Sequence, residues 1–378
     1  MEVIAGQVTR APKLAIYIDP PSHHFLQDRL FNPATSALGG DNILAPFLLV
    51  RDHFNRLGIA VHTADLIPTE PDDTTKVYVS VGIIADYPRL ACRPDVILSA
   101  FFAFECPIVE PRIFEALPAI QRHVKRIMCF SDADSLTPFT GTPIRSERFV
   151  WPQCLDGVNE AAWSRTDRGF LTMINANKLP RIYRAELYTA RLKAVAYFHR
   201  FGEIDLYGKA WDRAPMRVGK SWVPWTFRFW YNALWEAKQR RWPNPVYAAV
   251  AAASKGTVVS KADTLSRYKF AICFENMILP GWITEKIFDC FAAGCVPIYW
   301  GAPEITDVIP AECFIDMRQF EGYHDLRDFL HRLTPAEVAR YRDAARAFLE
   351  SRAYDRFRPQ GFVDHFRRFV REDAGIEV

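Results

Sequence analysis

Residues 268–301, YKFAICFENMILPGWITEKIFDCFAAGCVPIYWG, constrain this chain more than any other stretch. Phe270 to Phe274 is an apolar run of strand type that stops at Glu275-Asn276, and Pro280-Gly281 mark the loop that follows. Thr284 stands where an N-cap is needed. Ile287, Phe288, Phe291 and Ala292 then recur at helical spacing, and Gly294 is placed to end that helix. Val296 to Trp300 reads as a short buried strand closed by Gly301. Strand, loop, helix and strand make half of a nucleotide-binding α/β domain, whose ligands sit at the carboxyl ends of strands and at helix N-termini. Glu275, Asn276, Trp282, Glu285 and Lys286 all collect at that place.

With 378 residues the chain is long enough for two domains, and 49% hydrophobic with 24% charged residues allows each its own core. A net charge of +3 without a basic stripe excludes an ordinary nucleic-acid binder and suits a small anionic ligand. The eight cysteines occur singly, with no CxxC pair, so neither a zinc site nor a disulfide framework is expected. The first residues lack the apolar core of a signal peptide, and no run approaches the ~20 apolar residues of a spanning helix. The expectation is a soluble protein of a reducing, cytoplasmic compartment.

In chain order, Leu14 to Ile18, Ile59 to His62, Val77 to Ile84, Asp95 to Phe104 and Arg126 to Phe130 read as strands. Gly39-Gly40-Asp41-Asn42 reads as a turn and N-cap ahead of a helix, although it could cradle a phosphate. Glu105 follows a buried strand and is walled by Phe101, Phe102 and Phe104, a setting that raises a carboxyl pKa and suits a general base. Glu110 is its competitor. Asp132 and Asp134 form a DxD-like pair, which we read as a loop or helix cap. Gly169 to Ile174 opens the second domain as a strand, the turn Asn175 to Pro180 follows, and a helix is expected from Arg181 to His199. Arg181 and Arg184 would lie in its first turn, against the dipole, where a bound anion would relieve the conflict. Ile204 to Tyr207 is a further strand. Residues 211–256 hold a basic-aromatic cluster, read as core aromatics with solvated cations, the alternatives being contact with an extended acceptor or a membrane surface. Residues 358–372 form a basic amphipathic helix expected to pack back on the first domain.

The central stretch resembles the donor-binding motif of the α-1,3-fucosyltransferases, glycosyltransferase family 10. The shared pattern is Tyr268-Lys269-Phe270, Phe274-Glu275-Asn276, Trp282-Ile283-Thr284-Glu285-Lys286 and Ala293-Gly294-Cys295-Val296-Pro297-Ile298-Tyr299-Trp300-Gly301-Ala302-Pro303, and it continues to about residue 320. Upstream, FECP at 104–107 is similar to the family's FESP, whose glutamate is taken as the catalytic base, which favours Glu105 over Glu110. Asn175 with Arg181 resembles the family's Asn and phosphate-binding Arg, and IDLYGKAW, which contains Tyr207, resembles its VDxYG segment. Two departures stand out: Trp282 replaces the usual Tyr, and Cys106 replaces the serine of FESP.

The resemblance implies an α/β fold of GT-B type, two facing Rossmann-like domains with a C-terminal helix: residues 1–160 on the acceptor side, 161–355 binding the GDP-sugar, and 356–378 returning. It implies an inverting transfer of L-fucose from GDP-β-L-fucose to a hydroxyl, O3, of a GlcNAc- or glucose-containing oligosaccharide or glycolipid. Glu105 would be the base. Asn175, Arg181, Tyr207, Glu275, Asn276, Trp282, Thr284, Glu285 and Lys286 would bind the donor, with no metal site and no essential divalent metal. The alternatives are another GDP-deoxysugar as donor, or a catalytically silent module that binds sugar nucleotide or glycan. A dehydrogenase would need a glycine fingerprint that is absent. The family members of animals are anchored in the Golgi membrane, and no such anchor is read here, so the expectation is a bacterial cytoplasmic enzyme, peripheral to the inner membrane, building lipopolysaccharide or another surface glycan.

Overall fold

The computed structural model describes residues 13–33, 44–155, 157–219 and 227–378. The Gly39-Gly40 turn and the 222–226 part of the basic-aromatic cluster lie outside them.

The first sheet contains β1 (Leu14–Asp19), β2 (Ala60–Thr63), β3 (Thr75–Ser80), β4 (Val96–Ala103), β5 (Arg126–Cys129) and β6 (Ser146–Arg148). All pair in parallel in the order β2-β1-β3-β4-β5-β6. A parallel sheet is covered on both faces, which is why its strands read as unbroken apolar runs. Ile16, Ile18, Val79, Ala100 and Phe102 are completely buried.

The later strands are β7 (Gly169–Ile174), β8 (Lys178–Pro180), β9 (Ile204–Tyr207), β10 (Met216–Val218), β11 (Tyr268–Phe274), β12 (Val296–Trp300) and β13 (Ile315–Asp316). Five of them form a second parallel sheet in the order β13-β12-β11-β7-β9. From β7 the chain first builds outward to β9 and then crosses to place β11 on the opposite side. The strand order therefore reverses between β7 and β11, and such a switch point opens a ligand crevice at the strands' carboxyl ends. β8 and β10 pair separately as a two-stranded parallel ribbon.

Besides α1 (Ala45–Arg56), five helices bear on the cleft and its surroundings: α2 (Tyr188–His199), α3 (Arg228–Arg241), α4 (Pro245–Ala253), α5 (Glu285–Ala292) and α6 (Pro359–Ala374). α6 returns to the first sheet and packs on α1, β3 and β4. Phe362, Phe366 and Phe369 press against Phe102. A bidentate pair fixes its end, Arg126 Nη1 and Nη2 donating to the two Asp373 carboxylate oxygens at 2.6 and 3.0 Å. Two parallel α/β domains bound by a returning C-terminal helix give the GT-B type of fold that the sequence pointed to.

Three expectations need correction. Lys178–Pro180, expected to belong to a turn, form β8 because they pair with Met216–Val218. The helix expected from Arg181 begins at Tyr188 instead, because residues 181–187 bond to the loop after β11 rather than to their own next turn. Ile278 N donates to Ala185 O at 2.7 Å and Leu187 N to Asn276 O at 3.0 Å. Arg181 and Arg184 are thus in no helix, and the dipole argument for an anion there falls. The aromatics of 211–256 divide: Trp211 is buried in the core and Tyr247 of α4 packs against it, but Phe229, Trp230, Tyr231 and Trp235 sit on α3, which buries none of its described residues (the side chain of Arg228 is not described).

Candidate active site

The carboxyl ends of β7, β9 and β11 and the N-terminus of α5 surround a cavity of about 310 Å³. Asn175, Gly208, Lys209, Lys261, Glu285 and Lys286 are among its lining residues. Gly208 is required where it stands: its φ is +136°, and a Cβ would lie 1.8 Å from the Asn175 carbonyl oxygen.

Beneath this cavity lies a buried ionic cluster. Glu275 is wholly inaccessible to solvent. Its carboxylate accepts from Thr284 N at 2.8 Å, from Thr284 Oγ1 at 2.9 and 3.0 Å, and from Lys286 Nζ at 3.0 Å. Lys286 Nζ also donates to Thr284 Oγ1 at 2.7 Å. Thr284 does occupy the N-cap position of α5, but its hydroxyl bridges Glu275 and Lys286 and does not cap the helix. A buried carboxylate is tolerable only when paired and hydrogen-bonded, and this one is both. Burial works against the Lys286 charge, but Glu275 and Glu285 outweigh it and hold the ammonium well above its ordinary range. Glu285, half exposed at the cavity rim, is drawn down to about 2 by Lys286 and Lys261 against the cost of its surroundings.

The first domain meets this place with the loop after β4. Glu105 is partly buried, and Cys106 N donates to its Oε1 at 2.9 Å. Burial raises its pKa, while Cys106 N–H, Lys286 and Lys178 pull it back and Glu285 adds to the rise. Lys286 and Glu285 of α5 are therefore within electrostatic reach of the Glu105 carboxyl across the cleft. The Cys106 thiol is buried, and that burial raises its pKa. Glu110, the competitor, is exposed outside this constellation at the start of the helix Pro111–Ile120.

The remaining residues singled out in sequence fall into two groups. Asn175 lines the cavity, and Asn276 borders the cleft with its Oδ1 accepting from Arg191 at 3.1 Å. Tyr207 is at the end of β9, its hydroxyl 2.9 Å from that of Tyr268. Arg181 is exposed, its backbone N–H on the Val218 carbonyl of the β8–β10 ribbon. Glu275 and Thr284, in contrast, lie behind the cavity wall. Trp282 is only 3% exposed and stacks edge-on against Phe130 of the first domain, ring centroids 4.7 Å apart. Its indole N–H is buried without a partner among the described residues. The neighbouring Gly281 lies close against the Phe130 carbonyl, where a Cβ would come to 2.0 Å. Asp132 caps the helix Ala133–Thr140, accepting from Ser135 N at 2.8 Å, as a cap reading of the DxD-like pair requires.

Sequence reasoning missed Arg191. It is buried, stacks 4.8 Å over Tyr188, and donates to Phe274 O at 3.1 and 2.6 Å. It thereby holds the end of β11 and the Asn276 side chain together. Only its place on the inward face of α2 could have revealed it. Lys209 was the easier omission, a cation directly after a strand end.

The sequence model described as "Glycosyltransferase family 10 (fucosyltransferase) C-term" matches residues 244–345. Residues 244–345 are therefore similar to the C-terminal part of the family 10 glycosyltransferases. The α-(1,3)-fucosyltransferase FucT of Helicobacter pylori is 36% identical over 73 residues, 19% of this chain and 15% of that protein. An Arabidopsis thaliana α-(1,4)-fucosyltransferase is 36% identical over 75 residues, 20% of this chain and 19% of that protein. The human GDP-fucose protein O-fucosyltransferase 3 matches at 36% over 70 residues, 18% of this chain and 15% of that protein. The chain thus spans under a fifth of the length of these relatives. A solved α1,3-fucosyltransferase aligns over 98% of this chain and 94% of its own at 14% identity, with a TM-score of 0.49.

Proposed function

We propose that this family 10-like domain and the first domain together transfer L-fucose, with inversion, from GDP-β-L-fucose to a hydroxyl of a GlcNAc- or glucose-containing glycan. The observation that carries the reading is that Glu285 and Lys286 line the cavity at the carboxyl ends of β7, β9 and β11, inside the stretch that matches the family 10 model. Glu105 accepts the acceptor hydroxyl proton. The oxygen attacks C1 of fucose from the face opposite the diphosphate, and the bond from C1 to the β-phosphate oxygen breaks. Lys286 and Arg181 stabilise the charge that develops on the departing GDP. Glu285 takes ribose hydroxyls, and Asn175, Tyr207 and Asn276 hold the donor. Glu275 and Thr284 act by positioning Lys286, and Trp282 by closing the contact between the domains.

In this reading the lysine and arginine do the work that a divalent metal would do on the diphosphate, so none is essential. O3 is the proposed acceptor position, the relatives' names covering α-1,3, α-1,4 and protein O-fucosylation. Among the described residues no helix is long and apolar enough to cross a membrane. We place the enzyme in a bacterial cytoplasm, in lipopolysaccharide or other surface-glycan synthesis, touching the membrane through the outer face of α3. Phe229, Trp230 and Leu234 are exposed there beside Arg240 and Arg241, a composition suited to an anionic interface.

The test is GDP release from a panel of GDP-sugars, with and without glycan acceptors. Turnover with GDP-fucose that survives EDTA is expected. Turnover with a different GDP-sugar alone, or complete loss with EDTA, contradicts the reading.

A further inference from the structure

The opposite face of α3 is not bare. Tyr231 and Trp235 of α3, Trp242 just beyond its end and Tyr247 of α4 line a second cavity of about 460 Å³. Trp235 and Tyr247 meet edge to face at 5.6 Å, which leaves ring faces open to the cavity. Polar groups converge on the same space. Gln239 Oε1 accepts from Asn244 N at 3.0 Å and Asn244 Oδ1 from Val246 N at 2.9 Å. Both carboxamides thus spend their oxygens on the backbone and keep their NH2 groups as donors. Arg217 and Lys238 complete the wall, and no carboxylate lines the cavity among the described residues. Arg217 is fixed in place because its Nη1 donates to the Pro180 carbonyl at 3.2 Å and to the Tyr183 hydroxyl.

Aromatic faces with carboxamide donors are what a pyranose ring needs: its axial C–H groups stack on rings while its hydroxyls accept hydrogen bonds. Two cations with no opposing carboxylate add a charge requirement. The cavity is linked to the loop that carries Glu105 through β10. Arg217 is in β10, whose next residues reach the cleft: Val218 O accepts from Arg181 N, and Gly219 abuts the Ile108 carbonyl in the loop that carries Glu105.

We propose that this cavity is a glycan subsite for an anionic sugar residue, a uronate or phosphate-bearing sugar, of the acceptor. As an acceptor subsite it rests on the transfer reading above; as a glycan site it stands on its own lining.

The probe is hyaluronan tetrasaccharide, which alternates glucuronate and GlcNAc, with N-acetylchitotetraose as the neutral comparison and GDP titrated in parallel. Hyaluronan tetrasaccharide should bind the 378-residue chain more tightly than the neutral glycan. Trp235→Ala should weaken it about tenfold, the scale of one aromatic platform, and Trp235→Phe should restore most of the loss. Lys238→Gln should abolish the preference for the charged glycan. GDP binding should be unchanged in all three. Equal affinity for the two glycans overturns the anionic assignment, and binding indifferent to Trp235→Ala and Lys238→Gln overturns the site. Tetrasaccharide bound through Trp235 by a protein that fails to bind GDP supports the subsite and contradicts the transfer reading instead.

Discussion

Two aromatic-rich regions of this chain handle their rings in opposite ways. In the donor stretch, Phe270, Phe274, Trp282, Phe288, Phe291 and Tyr299 are all buried. On α3 and its flanks, Phe229, Trp230, Leu234 and Trp242 are 63–72% exposed. The difference lies in periodicity and neighbours. In α5 the apolar residues occupy one arc and face a sheet, so the opposite arc is free to carry Glu285 and Lys286 toward the cleft. In α3 the aromatics of the first two turns spread over both arcs, Trp235 meets Tyr247 of α4, and no described residue of the helix is buried.

The largest effect that would break this contrast is at Glu275. Glu275→Ala removes the buried partner of Lys286 and leaves its ammonium to the more distant, half-exposed Glu285, so the folded state should lose up to about 3–5 kcal/mol, read as a drop in denaturant midpoint. An unchanged midpoint would mean that the cluster beneath the cavity is not a structural anchor. Next comes Lys286→Ala. The loss of one charge-assisted hydrogen bond to the diphosphate should cost about 1.5–3 kcal/mol in GDP binding, measurable by calorimetry; intact GDP affinity would remove Lys286 from the donor site. Trp282→Phe should be milder, below about 1.5 kcal/mol in stability, with GDP affinity preserved, because the indole N–H has no partner to lose among the described residues. A marked rise in the KM for GDP-fucose would show that the indole touches the donor after all. Smallest in stability is Leu234→Ser, within about 0.5 kcal/mol on an exposed face, although it should reduce co-sedimentation with phosphatidylglycerol vesicles. Unchanged co-sedimentation would end the membrane assignment.

The contrast also explains what could be read in advance. Most strands of both sheets were legible because buried parallel strands are unbroken apolar runs bounded by polar turns, as at Leu14–Asp19 and Gly169–Ile174; the edge strand β6, Ser146–Arg148, was not, because it is short, polar and only half buried. The donor stretch was legible because each residue obeys a local rule. The start of α2 was not: residues 181–187 have helix-compatible composition, and only their bonds to residues 276 and 278, far along the chain, hold them out of a helix. For the same reason Glu275 read as a ligand-facing acid. Its position after a strand end is right, but its burial depends on Thr284 and Lys286 folding over it. Arg191 was hidden because a buried arginine looks like any helical arginine until its partner, the carbonyl of Phe274, is in place.

In the reading proposed above, the active site is the cleft and not the donor stretch alone, with Glu105 supplying the base. Burial raises the Glu105 pKa, so the base is protonated, and transfer slow, to a higher pH than for a free glutamate; the rate should climb as pH rises through that value. The sharpest test is the pH–rate profile of fucose transfer, measured for the wild type and for Glu105→Gln with GDP binding followed alongside. The wild type should show an acidic limb shifted upward. In Glu105→Gln that limb should vanish, with a loss of about 10²–10⁴-fold in kcat, as expected on removing a general base, and GDP binding should be intact. A Glu105→Gln variant that keeps both its rate and its acidic limb would contradict the assignment of the base to Glu105.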